Sequence, residues 1–383
     1  MNFLILGDGP DERAWASTLA GRADHRVVAA SPGFPEILPE AASPADLDGA
    51  LAAAGVEAVV VGGSLAFRDE ALRRSAAAGF ATICLHPPGP NADPYYQVAL
   101  SREETGAVVV PDLPGRLHPG VAALRQALAT GELGGFRSLR IEATGGPGGA
   151  DLASWDFPRW ADLARVFLGD VASLTAMGDP PGNPPTRALT VQLRGSSGRT
   201  GEVRLSAAGP APTARVVLAG EDAAITLEVA PGWEGPARLV RPATTVDLPP
   251  WDPRGAILGA LAEAVAGRPA RPDLADGTRA MELASAVARS LRRGRSVDLH
   301  HEAVSEANNF KTVMTSVGCM LLLAVLVALP AALVGPALGI RQTIYIAYVI
   351  PPVLIAFAAL QLLRLAMRRP APKAAGTQDG PAD

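Results

Sequence analysis

The residues best suited to chemistry come first in the chain. Gly7-Asp8-Gly9-Pro10 lies between an apolar run, Phe3-Leu4-Ile5-Leu6, and a helical pattern from Asp11 to Leu19. A strand, a glycine turn and a helix start form a cradle for phosphate, because helix-terminal N–H groups and the helix dipole both favour an anion there. Gly7, Asp8, Gly9 and Pro10 are therefore candidates for holding a nucleotide diphosphate. The dinucleotide fingerprint asks for a third glycine, and that position holds Glu12. Asp11 and Glu12 place two carboxylates in the first helical turn, which suits the dipole but competes with a phosphate. Two like charges about 4 Å apart cost roughly 4 kcal/mol at an effective dielectric of about 20, unless a side chain points away. Ser31 closes the second apolar run, where dinucleotide sites commonly carry an acidic residue for the ribose; a serine accepts a 2′-phosphate more readily. Gly62-Gly63 close the third run and leave room for a cofactor across the sheet edge.

Such positions need a scaffold, and the first 111 residues supply one. β-rich apolar runs at Phe3–Leu6, Arg26–Ala30, Glu57–Val61, Ala81–Leu85 and Ala107–Val110 alternate with helical stretches at Glu12–Ala20, Asp46–Ala54, Arg68–Ala78 and Tyr95–Thr105. Alternation of this kind predicts a parallel sheet with helices on both faces. After Pro111 the pattern changes to two-residue periodicity, with strands expected at Phe136–Ala143, Arg187–Arg194, Glu202–Ala207, Ala214–Ala219, Ala223–Val229 and Ala237–Val240. Helices are expected at Pro119–Thr130, Arg159–Leu168, Ala256–Ala266 and Asp276–Arg293. The fold class is thus a Rossmann-type α/β domain over 1–112, then an α+β domain over 113–299 with a large, mostly antiparallel open sheet.

A net charge of −4 with no long basic stripe argues against nucleic acid as a partner. Two cysteines, Cys84 and Cys319, exclude a disulfide framework or a cysteine-rich metal site. The N-terminal apolar run is too short, and lacks the basic flank, for a signal peptide. Beyond a polar linker at 300–311, Thr312–Val334 and Ile344–Leu363 carry no charge, and each is long enough to span a bilayer. Two transmembrane helices, over about 312–334 and 342–363, are expected to form a hairpin, followed by a disordered tail over 368–383. Arg292, Arg293, Arg295 and Lys311 precede the hairpin, and Arg364, Arg368, Arg369 and Lys373 follow it. The positive-inside rule then puts the N-terminal domains and the C-terminus on the cytoplasmic face of a cell membrane, with the lipid bilayer as a partner.

Three motifs in order give the chain a family likeness. Leu117-His118-Pro119-Gly120 leads into Thr130-Gly131-Glu132-Leu133-Gly134; then comes Asp162-Leu163-Ala164-Arg165-Val166-Phe167-Leu168-Gly169-Asp170-Val171, and finally Ser290-Leu291-Arg292-Arg293-Gly294-Arg295-Ser296-Val297. Over roughly residues 1–299 the chain resembles the glucose–fructose oxidoreductase/inositol dehydrogenase (Gfo/Idh/MocA) family. The resemblance implies an NAD or NADP cofactor, a sugar or cyclitol substrate, hydride transfer, and pairing of subunits through the open sheet. It also directs attention to His86, Arg159 and Asp162. His86 stands where the family carries a lysine that steers the substrate proton, and a histidine can do acid–base work near neutral pH. Arg159 stands where the family often has a histidine; it cannot act as a base but can clamp an anion. Asp162 keeps the family's residue type, and would orient a ligand or cap the helix. Trp155 and Trp160 flank this position, as stacking or packing residues.

The remaining candidates are bland. His25 and His118 read as surface or structural residues, Cys84 as a core residue, and His300-His301-Glu302 as a polar cluster with no metal-ligand spacing. Two functions are compatible with the whole pattern. One is a membrane-anchored NAD(P)-dependent oxidoreductase with an altered site, and the other is a catalytically inactive relative serving as a membrane-tethered binding or scaffold protein.

Overall fold

The computed structural model describes residues 1–299 apart from 32, 145–150, 182–184 and 208–212, together with residue 330. The expected linker, the two apolar runs (Pro330 excepted), the tail and His300-His301-Glu302 lie outside the described residues. Among the described residues no helix is long and apolar enough to cross a membrane, and no cluster of His, Cys, Asp and Glu suits a metal.

The first sheet takes β1 (Asn2–Leu6), β2 (Arg26–Ala30), β3 (Ala58–Val61), β4 (Ala81–Leu85) and β5 (Val109–Asp112), all parallel, in the order β2-β1-β3-β4-β5. Its crossovers are α1 (Pro10–Ala20), α2 (Leu47–Leu51), α3 (Leu65–Ala77) and α4 (Asp93–Thr105). Phe3 to Leu6 and Ala58 to Val61 are buried, as strands with helices on both faces require. Local chemistry sets the ends: Pro10 starts α1, Ser64 caps α3 through the Phe67 N–H, and Gly106 closes α4 at φ +69°. The chain reverses direction between β2 and β3, which lie on opposite sides of β1, so the crevice for a ligand opens beyond the C-terminal ends of β1 and β3.

The second sheet has nine strands. These are β6 (Phe136–Thr144), β7 (Val171–Asp179), β8 (Ala188–Gly195), β9 (Thr200–Ser206), β10 (Thr213–Gly220), β11 (Ala224–Val229), β12 (Gly235–Val240), β13 (Thr245–Trp251) and β14 (Val297–Asp298). Their order is β13-β12-β11-β10-β6-β9-β8-β7-β14, antiparallel except for β6 against β9. The sequence pattern does not reveal β7 or β13. A register shift between Val171 and Ser173 breaks the period of β7, and β13 carries Pro249 and Pro250, tolerable only on an edge strand. One face packs on α5 (Pro119–Ala129) and α6 (Phe157–Leu168). The other face is polar, and successive strands pair Asp247 with Arg238, Arg238 with Glu228, Glu228 with Arg215, Arg215 with Glu142, and Glu142 with Arg204. Charge therefore alternates along a single row across six strands.

α7 (Pro253–Val265) and α8 (Leu274–Arg293) return to the first sheet. Ile257, Leu258 and Leu261 of α7 share a core with Phe3, Ile5 and Trp15. Leu274 and Met281 of α8 share another with Leu4, Leu6 and Tyr95, while Leu283, Ala286 and Val287 of the same helix belong to the core of the second sheet.

Candidate functional site

At the end of β1, Gly7 adopts φ +105°, and a Cβ there would lie 2.4 Å from the backbone nitrogen of Gly63. Only glycine permits that turn and that approach. The Gly7 N–H donates to Ser31 Oγ at 3.0 Å, so Ser31 braces the turn from the end of β2. Asp8 is exposed, and Pro10, the first residue of α1, has no N–H to offer an anion.

The room expected at Gly62-Gly63 is filled. Glu12 is buried, and its carboxylate accepts the Gly63 N–H at 2.5 Å. An added Cβ on Gly62 would lie 1.9 Å from Glu12 Oε1, and one on Gly9 2.5 Å from Oε2. The carboxylate therefore sits between the two glycine turns, at the crevice between β1 and β3. It points inward because a buried cation meets it: Arg68 Nη2 is 3.6 Å away, and both side chains are 2% exposed. Arg68 also donates to the carbonyl oxygens of Leu85 and Pro87, at 3.4 and 3.1 Å, and lies 4.9 Å from the Trp155 ring centre. Burial lowers the Arg68 pKa, and Glu12 is among the charges opposing that shift.

The three positions singled out by resemblance fall in two places. His86, just after β4, is buried; its Nδ1 is 3.0 Å from Tyr95 Oη, and the two rings stack at 5.9 Å. Burial first, then Arg159 and Arg68, hold its pKa well below the ordinary histidine value, so the ring is neutral at neutral pH. Its Nε2 is buried and has no hydrogen-bond partner among the described residues. The groups behind it are fixed as neutral donors. Burial pushes the Cys84 thiol up to about 12 and raises the Tyr95 phenol, and Cys84 Sγ lies 3.5 Å from the Leu85 carbonyl oxygen. Of the two neutral tautomers of His86, the one that donates Nδ1–H to Tyr95 Oη leaves Nε2 as an acceptor.

Arg159 lies in the first turn of α6 and reaches across to the first domain. Its Nε donates to the His86 carbonyl oxygen at 2.9 Å and its Nη2 to Asp11 Oδ2 at 3.2 Å. Asp11 and Glu12 thus each face an arginine rather than each other. Asp162 lies apart. It is in the middle of α6 and caps nothing; the residue at the N-cap position is Asp156. Its carboxylate takes both Nε and Nη2 of Arg116, whose Nη1 is 3.0 Å from Asp276 on α8. This buried ion cluster joins α6, α8 and the segment after β5. Trp155 lies over Arg68, and Trp160 packs 5.5 Å from Trp233.

Arg68, Tyr95 and Asp156 escape the sequence reading. Arg68 had a legible signal, since it shares a helix face with Ala71, Leu72 and Ser75, all buried, and an arginine on an apolar stripe needs a partner. Asp156 sits two residues before Pro158 on an irregular turn; burial raises its pKa to about 6, and its Oδ2 is without a partner among the described residues. A cavity of about 310 Å³ is lined by Asn91, Asp151, Ser154, Ser285, Arg289 and Arg292 among others.

No family model matches the chain, and no curated protein matches it significantly. Solved structures do. The myo-inositol dehydrogenase of Corynebacterium glutamicum ATCC 13032 is 20% identical over 79% of this chain and 99% of its own, with a TM-score of 0.64. GenD2 of gentamicin A biosynthesis, solved with NAD, is 20% identical over 79% of this chain and 97% of its own, with a TM-score of 0.67. The WlbA dehydrogenase of Bordetella pertussis, solved with NADH and UDP-GlcNAcA, is 16% identical over 79% of this chain and 99% of its own, with a TM-score of 0.66. The chain has the fold of these Gfo/Idh/MocA-type dehydrogenases.

Proposed function

We propose that this chain is a nicotinamide-dinucleotide-dependent oxidoreductase acting on a hydroxyl group of a sugar or cyclitol. The observation that carries the reading is His86: neutral, backed by Tyr95, with a buried Nε2 that nothing in the described structure uses. Solved structures of the same fold hold NAD or NADH. The cradle suits an anion, since the Gly63 N–H and Arg68 already bind a carboxylate there, the chain's own Glu12. Those two groups and the start of α1 would hold a diphosphate, and the bound nicotinamide would supply the hydride acceptor. In this reading His86 Nε2 takes the hydroxyl proton, and Tyr95 fixes the ring orientation that makes Nε2 the acceptor. Arg159 and Arg68 provide the permanent charge that a histidine lacks. The cavity lined by Asn91, Asp151, Ser154 and Arg289 offers the mixture of donors and acceptors that a polyol needs.

The test is His86→Phe, which keeps a ring beside Tyr95 and removes both nitrogens. Loss of a general base costs about 10²–10⁴-fold in turnover. The expected result, in an assay of NAD⁺ and NADP⁺ reduction against a panel of sugars and cyclitols, is a fall of that size in kcat with cofactor affinity retained. Undiminished turnover in the variant would remove His86 from the reaction. We also propose that the apolar runs at 312–334 and 342–363 anchor this activity to a membrane, on the strength of their length and of the flanking arginines and lysines.

A further inference from the structure

We propose that Glu12 is a built-in competitor for the cofactor's diphosphate, and that dinucleotide binds only when its carboxylate leaves the cradle. This rests on the dinucleotide reading above and adds a cost to it. The carboxylate occupies the space between Gly9 and Gly62, where any added atom would overlap it, and takes the Gly63 N–H at 2.5 Å. Arg68, the cation available to a phosphate there, is 3.6 Å from that carboxylate. Arg68 is not saturated by its present contacts: its Nε is buried with no partner among the described residues, so the guanidinium can take a further acceptor. Pro10 removes one N–H from the helix start, which leaves the site more dependent on Arg68 and Gly63 than an ordinary glycine turn. The anion site is real, and its resident anion is the protein's own.

Titration calorimetry and thermal shift on the full-length protein, with NAD⁺ and NADP⁺ as probes, test this without relying on turnover. Glu12→Gly restores the missing glycine and should tighten dinucleotide binding at least tenfold. Glu12→Gln keeps the volume but removes the charge that holds Arg68, and should tighten binding about threefold or more. That second variant stands if Glu12→Gly does not fold. Wild-type protein that binds as tightly as both variants would overturn the competitor role and leave the dinucleotide reading intact. Failure of wild type and every folded variant to bind at millimolar nucleotide would overturn both, in favour of a binding or scaffold protein that takes no dinucleotide.

Discussion

Charge pairing at single residues decides what this site can do. Glu12 was visible in the sequence as a misfit in the glycine fingerprint, whereas Arg68, on an otherwise apolar helix face, was not singled out. Their meeting was not visible, because it depends on α1 and α3 flanking the β1–β3 crevice. Ser31 was expected at the cofactor; its hydroxyl is found bracing Gly7. His118, read as a surface or structural residue, is buried at the N-cap of α5, where Nδ1 accepts the Gly120 N–H at 3.0 Å and the ring lies against Trp233 and Trp251. Burial lowers its pKa to about 4. Its folded pKa lies below the unfolded value near 6.5, so the unfolded chain binds the extra proton first, and stability is lost as pH falls from about 6.5 to 4. The loss attributable to His118, after solvent screening, is on the order of 1–2 kcal/mol over that window. His86 acts in the same direction. Asp156, raised to about 6, acts in the opposite one, gaining stability as pH falls through that value. His118→Asn retains a good cap and removes the titration. Urea denaturation across pH 4–7 should show a shallower dependence in the variant; equal slopes would assign the acid sensitivity elsewhere.

At the level of elements, the regular pieces were legible wherever one period ran uninterrupted. β1 to β5 and α5 to α8 fall within a few residues of their expected limits. α2, expected over Asp46–Ala54, is a single turn at Leu47–Leu51, because Gly49 within it and Gly55 beyond it weaken helix propensity. The alternating row from Asp247 to Arg204 explains how a wide sheet keeps one face polar: every charge except the terminal ones has an opposite charge on both neighbouring strands. Such cross-strand pairs contribute a few tenths of a kcal/mol to about 1 kcal/mol each. The contact between α8 and the site is tighter. Gly277 lies so close to Pro111 and Tyr95 that a Cβ would approach both to 2.7 Å. Gly277→Ala gains about 1 kcal/mol of helix propensity and incurs about 1–3 kcal/mol of overpacking. A lower melting temperature is expected, together with weaker turnover, because Tyr95 carries the His86 ring. A variant that melts higher and keeps its activity would show that α8 yields at this point.

For the whole molecule, strand–helix alternation followed by two-residue periodicity was enough to predict a parallel sheet and then a large, mainly antiparallel one. The two do not form separate bodies, which the sequence pattern does not reveal, because α7 and α8 follow the strands β6 to β13 and pack back on the first sheet. A membrane anchor predicts that full-length protein stays with the membrane fraction after alkaline carbonate washing, while a chain ending at residue 299 is released; release of both would leave the apolar runs without that role. The late position of α8 has a further consequence in time. Its first half completes the core of a sheet whose last strand ends at Asp112, and its second half completes the other core. At about 5–20 residues per second, the roughly 160 residues between Asp112 and Leu274 take on the order of ten seconds or more to synthesise. Throughout that interval the nascent first sheet keeps apolar surface uncovered, until its own C-terminal helix arrives.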